Sequence, residues 1–204
     1  MIDPSWPGAL VVLSGPSGVG KTALTERLID DGHCVRAITA TTRRPREGEV
    51  HGVDYFFYES REAFRADVAE GKFLEHAEVH ERLYGTPLGP LSDQLRSGET
   101  VVLNIDVQGV QSLLEQEIQA HYVFIEPPSL QELERRLTGR GSEDAEALRV
   151  RLENARWELQ QKEHYQHRVT NDDFETAVQT LARLLAECSQ PGTGASASRR
   201  ATET

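Results

Sequence analysis

The chain has little cysteine, little lysine and no long apolar run. Its 204 residues include two cysteines, Cys34 and Cys188. They stand far apart in the chain, which excludes a disulfide framework or a four-cysteine zinc site. The usage suits a reducing compartment, and each thiol reads as buried or incidental. No apolar run approaches the roughly 18 residues of a membrane span. The first eight residues lack the basic-then-apolar pattern of a signal peptide, so the expected location is the cytoplasm. A basic excess is missing too: 22 Lys+Arg face 33 Asp+Glu, for a net charge of -11. That balance speaks against nucleic acid and anionic membranes as partners. It does not speak against a small anion, because a local cationic cluster overrides the average field. The length allows one domain, with room for an inserted subdomain, and is enough to bury about 70% of the extended surface without a disulfide or metal. It does not distinguish a monomer from a homodimer.

What is present is unevenly placed. Arginines number 19 and lysines three, and residues 36–46 hold four arginines and no acid. Arginine grips carboxylate or phosphate in a bidentate way that lysine does not copy. The segment ALVVLS (9–14) is a short, β-branched apolar run, read as a buried strand. A glycine-rich turn follows, then a helix over 21–31 stopped by Gly32. Further strands are read at 35–39, 54–58, 100–106 and 121–126, with a brief one at Val169. Helices are read from Ser60 to Gly71, over 108–119, and after Pro127 and Pro128, where Ser129 and Glu132 form a capping box. Another begins near Ser142 with Glu143 and Asp144 in its first turn, and a last one is capped by Asp172 with Glu175. Residues 189–204 hold no large apolar side chain and read as a disordered tail. Strand–helix alternation with buried strands predicts an α/β fold, a parallel sheet with helices on both faces. Residues 39–90 break the alternation and read as an inserted subdomain. The Arg/Glu-rich stretch 135–160 has a thin apolar stripe that suits a helical lid.

Gly15, Pro16, Ser17, Gly18, Val19, Gly20, Lys21 and Thr22 match G-x-x-x-x-G-K-[ST] between a strand and a helix. The glycines let backbone N–H groups turn inward onto phosphate oxygens, and the helix N-terminus adds partial positive charge. Lys21 is the expected ligand of the β- and γ-phosphates, and the Thr22 hydroxyl that of Mg²⁺. Asp106 ends the run VVLNI, where a second acidic group at the neighbouring strand tip holds Mg²⁺ or its waters.

Further motifs follow in order: TTRRPREGEVHGVDY (41–55), FLE (73–75), YGT (84–86), IDVQG (105–109), RLTGRG (136–141) and TNDD (170–173). Together with the phosphate loop they make the chain resemble the guanylate kinase family from Leu10 to about Leu185. The resemblance implies a P-loop kinase core over about 8–38, 98–130 and 168–188, a GMP-binding insert over 39–90 and a lid over 135–160. The implied reaction is ATP + GMP to ADP + GDP with Mg²⁺, and the implied partners are ATP and GMP (dGMP included). It implies that Arg43, Arg46, Tyr55 and Tyr84 cage the GMP phosphate, and that Glu75 accepts guanine N1–H and the 2-amino group. Thr39 and Thr86 complete the base contacts, Asp106 serves the base or the metal, and Asn171 meets the adenine of ATP. Lys21 with the lid arginines Arg136, Arg140 and Arg151 would stabilise charge on the transferring phosphoryl.

The chain departs from the family pattern at His76, at Glu81-Arg82-Leu83, at Pro87 and at Asn104, which stands where an acid is common. Arg135, Arg149 and Arg156 read as solvated partners of nearby glutamates. His76 and His80 have an i, i+4 spacing that would suit zinc on a helix, but a polar strand or loop is the expected setting. His164 and His167 read as ending a helix and carry no assigned role. Two other readings of the motifs are a P-loop kinase acting on a ribosyl phosphate and a catalytically silent guanylate-kinase-like module that binds phosphopeptides. Glu75 and the intact phosphate loop argue against each in turn.

Overall fold

The computed structural model describes residues 2–79, 81–138 and 145–190. In chain order its elements are β1 (Ala9–Ser14), α1 (Lys21–Asp30), β2 (Val35–Arg36), β3 (Ala40–Thr41), β4 (Phe56–Phe57) and α2 (Arg61–Ala69). They continue with β5 (Phe73–Val79), β6 (Arg82–Pro87), α3 (Leu88–Arg96), β7 (Thr100–Asn104), α4 (Val107–Glu115) and β8 (His121–Glu126). The last are α5 (Leu130–Thr138), α6 (Ala145–Gln160), a 3-10 turn (Gln161–His164), β9 (His167–Thr170) and α7 (Phe174–Cys188).

A strand apolar at every position must be covered on both faces. β1 obeys this with a clean alternation. Leu10 and Val12 face Leu91 and Leu95 of α3 and Val107, Val110 and Leu113 of α4. Val11 and Leu13 face Leu24 and Leu28 of α1 and Val178, Leu181 and Leu185 of α7. Each fully buried aliphatic side chain contributes about 1.5–3 kcal/mol relative to exposure, so both layers fix the register of the sheet between them. The sheet order is β2-β7-β1-β8-β9, with every pairing parallel. β1 and β7 are neighbours, yet the helices that follow them, α1 and α4, pack on opposite faces. The two loops therefore diverge and open a crevice at the carboxyl ends of the strands.

The second sheet, in the order β4-β3-β6-β5, is mostly antiparallel. Its small core joins Ala40, Phe64 and Leu83, with the Phe64 and Phe73 rings stacked at 4.5 Å. Gly85 is required there: a Cβ would lie 2.7 Å from the Phe73 ring and 2.8 Å from the Glu75 carbonyl.

Several expectations change. The strand read over 35–39 shortens to β2 in the core sheet, and β3, just beyond it, belongs to the second sheet. Ala37 N–H still bonds Val102 O at 2.9 Å before the chain leaves the core. The strand read over 54–58 shrinks to β4, because the Asp54 carboxylate accepts Val50 N–H at 2.7 Å and holds a turn. The helix read over 108–119 ends at Glu115, and Glu117 takes a left-handed φ of 53°. The cap of α7 is Asp173, not Asp172: its carboxylate accepts Thr176 N–H at 2.9 Å. The Ser129 box is half formed. Ser129 Oγ accepts Glu132 N–H at 3.1 Å, but the Glu132 carboxylate turns to Arg135 and Arg136. His76 lies on β5, the strand setting expected for it, whereas His167 lies on β9 and not at a helix end. The helix start near Ser142, Glu143 and Asp144, the lid residue Arg140 and His80 lie outside the described residues. Of the expected tail, Ser189 caps α7 and bonds Leu185 O, and residues 191–204 lie outside the described residues.

The cap correction is directly testable. Asp173→Ala should lower the melting temperature by about 2–4 °C, the usual cost of a lost N-cap in a chain of this size. Asp172→Ala should leave it within error. Paired thermal unfolding of the two variants checks this, and equal losses would contradict the assignment.

Candidate active site

The loop after β1 wraps the N-terminus of α1. Gly15, at φ 140°, leaves no room for a side chain, since a Cβ would sit 2.1 Å from Ile125 O. Gly20, at φ 102°, lies against Asn171, whose Nδ2 would be 2.6 Å from an added Cβ. Asn171 is 5% exposed and donates Nδ2 to Val19 O at 2.8 Å. Its amide therefore braces the loop from the turn after β9. Leu133 and Leu137 of α5 pack beside Gly18. Pro16 and Ser17 complete the turn, and Pro16 O accepts Val19 N–H at 3.3 Å.

Lys21 folds back on this loop and donates to Gly15 O at 2.5 Å and to Pro16 O at 3.1 Å. Burial lowers its pKa, while Glu158 and Asp106 oppose that shift. Lys21 and Thr22 line a cleft of about 480 Å³ together with Ser17, Thr39, Asp106 and Glu158. The Thr22 hydroxyl and the carboxylates of Asp106 and Glu158 are hard oxygen donors that suit Mg²⁺, and Asp54 adds a third carboxylate to the lining. Asn104 brings no carboxylate, and its amide side chain is tied to Thr25 at 3.0 Å. Asp106 has a second duty that the sequence did not reveal. It is the N-cap of α4, with Oδ1 accepting Gly109 N–H at 2.7 Å.

A smaller cavity of about 210 Å³ adjoins it, sharing Thr39, Tyr55, Asn104, Ile105 and Asp106. The β5–β6 register pairs Glu75 with Thr86 and Ala77 with Tyr84. Two-residue periodicity puts all four on one face, toward this cavity. Glu75 is 6% exposed and accepts the Thr86 hydroxyl at 2.6 Å. Burial, with Asp106 nearby, raises its pKa to about 7 against the pull of that hydroxyl. Arg43 sits over the Tyr55 ring at 5.3 Å and pairs with Glu49 at 2.8 Å. Glu49 also accepts the Arg46 backbone N–H at 2.7 Å, while Arg46 itself is exposed. Glu49 thus holds both arginine positions, a role that its place in the motif did not disclose.

The lid residues are only partly gathered. Arg136 pairs with Glu132 at 3.0 Å on α5, and Arg151 is half-buried on α6. Arg135 and Arg149 pair with Glu132 and Glu153, as solvated helix positions do. Glu158 was missed from the sequence. It lies on α6 seven residues after Arg151, on the same helical face. Burial raises its pKa to about 7 against the pull of Lys21 and of the Ser17 N–H. The carboxylate therefore faces the donors that a phosphate would use.

Glu75 and Glu158 both have folded pKa values near 7, above the ordinary glutamate value of about 4.5. Their protonated forms favour the folded state, so stability is full below pH 4.5 and is lost as pH rises through about 7. Nucleotide-free protein should melt several degrees lower at pH 8 than at pH 5. The drop should shrink in Glu75→Gln and further in Glu75→Gln/Glu158→Gln; a double variant with the full wild-type slope would refute the assignment. Removing the Glu158 charge should also tighten ATP binding several-fold by calorimetry.

Comparison with known proteins agrees with this geometry. The family model described as guanylate kinase matches residues 8–188. The chain is 42% identical over 181 residues to the guanylate kinase of Synechocystis sp., covering 88% of this chain and 94% of that protein. It is 43% identical over 182 residues to that of Clostridium perfringens (strain 13 / Type A), covering 88% and 84%. The crystal structure of guanylate kinase from Anaplasma phagocytophilum is similar at a TM-score of 0.69 and 33% identity, over 91% of each chain. With a matching family model, relatives of this identity over most of their length and a phosphate loop whose cleft adjoins the cavity of the buried Glu75, the chain belongs to the guanylate kinase family.

Proposed function

We propose that this chain transfers the γ-phosphoryl group of ATP to the phosphate of GMP, and of dGMP, releasing ADP and GDP or dGDP. The bond between the γ-phosphorus and its bridging oxygen breaks, and one to an acceptor phosphate oxygen forms in line, with no covalent enzyme intermediate. The observation that carries the reading is the buried Glu75–Thr86 pair in a cavity adjoining the phosphate-loop cleft. A carboxylate there accepts the N1–H and 2-amino donors of guanine. Adenine offers neither, and would strand a buried anion.

The acceptor phosphate lies with Arg43, Arg46, Tyr55 and Tyr84, whose two guanidinium forks and two hydroxyls suit a dianion. Thr39 and Thr86 finish the base contacts. In the donor cleft, residues 15–22 cradle the ATP phosphates. Lys21 leaves its carbonyl partners for the β- and γ-oxygens, and Asn171 holds the loop in shape. Mg²⁺ fits Thr22 and Asp106, and when bound with ATP supplies charge neutralisation across those oxygens. Arg136, Arg140 and Arg151 close over the transferring group and exclude water. The core, the insert at 39–90 and the lid at 135–160 then work as base, acceptor site and cover. The nucleotides are the partners, with no nucleic acid or membrane among them. Two buried cysteines outside any disulfide suit the reducing cytoplasm, and no helix among the described residues is long and apolar enough to cross a membrane.

ADP release with ATP–Mg²⁺ should require GMP or dGMP, with AMP, CMP and UMP inert. Equal turnover with AMP would overturn the base-reading role of Glu75. Lys21→Ala should lower kcat by about 10²–10³-fold, while Glu75→Gln should relax the choice of base. Guanine binds the carboxylate form, so GMP affinity should weaken as pH falls below about 7. Calorimetry in two buffers of different ionisation enthalpy should show net proton release on GMP binding near that pH.

A further inference from the structure

The amino ends of the core strands carry a group of side chains that the nucleotide site does not use. Two-residue periodicity puts His121 on the same face of β8 as Val123 and Ile125, and His167 on the same face of β9 as Val169. That face packs on α7 through Val178, Leu181, Leu185 and Cys188. The last three recur at i, i+4 and i+7, so the end of α7 brings Cys188 over the two histidines. The imidazole rings are 6.3 Å apart. One nitrogen from each ring and the Cys188 sulfur all lie within 4.8 Å of one another. A point about 2.8 Å or less from all three therefore exists, close to the 2.0–2.3 Å of zinc–nitrogen and zinc–sulfur bonds. Small rotamer changes close that gap.

The chemistry of the set is selective. A thiolate and two imidazoles favour a borderline-soft cation over Mg²⁺, which takes oxygen ligands. A cleft of about 340 Å³, lined by Ile2, Trp6, Leu10, Leu95, His121 and Cys188, opens beside the group. It gives a cation an entry path and leaves a fourth position for water. Cys188 is 7% exposed, and the two histidines are half-buried, so the ligands are partly ordered before a cation arrives. No carboxylate is part of the group.

We propose that His121, His167 and Cys188 form a zinc-binding site at the pole of the sheet opposite the nucleotides, about 20 Å away along β1. Binding forms one Zn–S and two Zn–N bonds, and the thiol proton passes to solvent. The ion ties β8 and β9 to the end of α7.

Cobalt(II) is the spectroscopic probe, used on the full chain after chelator treatment and without nucleotide or Mg²⁺. One equivalent should bring a thiolate-to-cobalt charge-transfer band and the visible bands of a four-coordinate ion, and Zn²⁺ should abolish both. Cys34→Ser should keep the charge-transfer band and Cys188→Ser should lose it. His167→Gln should weaken cobalt binding tenfold or more. Zn²⁺ should raise the melting temperature of the wild type and of Cys34→Ser, but not of Cys188→Ser. The GMP-dependent turnover of Cys188→Ser should stay within twofold of wild type. A wild type with no charge-transfer band and no Zn²⁺-dependent stabilisation overturns the proposal. So does a band that survives in Cys188→Ser or disappears in Cys34→Ser.

Discussion

The two-faced burial of β1 is the constraint on which the molecule depends. Leu10 and Val12 commit one face to α3 and α4, and Val11 and Leu13 commit the other to α1 and α7. A slip of one residue would exchange the faces. The same commitment sends α1 and α4 away on opposite sides and opens the crevice between their loops. The phosphate loop is therefore a consequence of core packing. Gly15 presses against Ile125 O and Gly18 against Leu137 because the sheet and α5 come that close.

The electrostatics of the crevice are tighter than the overall charge suggests. Lys21 shares its cleft with Asp106 and Glu158, and Asp106 also reaches Glu75 through its field. This collects two half-buried carboxylates around one half-buried ammonium, with the buried Glu75 nearby. Burial raises two of those acids toward neutral pH and lowers the lysine. The arrangement is poor as a resting state and good as a receptor. On the proposed reading, a phosphate chain would draw Lys21 off its carbonyl partners, and a two-donor base would add hydrogen bonds to Glu75. A protein of net charge -11 thus recognises anions by placing a few cations and N–H groups at one strand edge.

The opposite edge follows from the same geometry. His167 pairs with Val123, two residues along from His121 on the same face, so the two rings come within 6.3 Å, and the end of α7 brings Cys188 to them. Nothing in the linear order joins position 121 to 167 or 188. Sheet register and helix direction do.

How much could be read in advance divides along this line. The phosphate loop, the strand before it and the helix after it were legible because backbone sterics and apolar periodicity act over a few residues. Leu24, Leu28 and Gly32 announce α1, and β8 was read to its ends from HYVFIE and the prolines after it. The arginine motif was legible as chemistry because arginines so close in sequence suit one anion. The hairpin of β5 and β6 was not, since its strands are polar on one face and half-buried, and its pairing rests on Gly85 fitting under Phe73. The cap at Asp173 rather than Asp172 depended on a backbone angle. The bracing role of Asn171, the N-cap duty of Asp106 and the approach of Glu158 to Lys21 join residues up to 152 positions apart. Local propensity and spacing act within one element and so determined strands, helices and loop chemistry. Burial, field and convergence depend on which elements touch, and only the tertiary structure decided them.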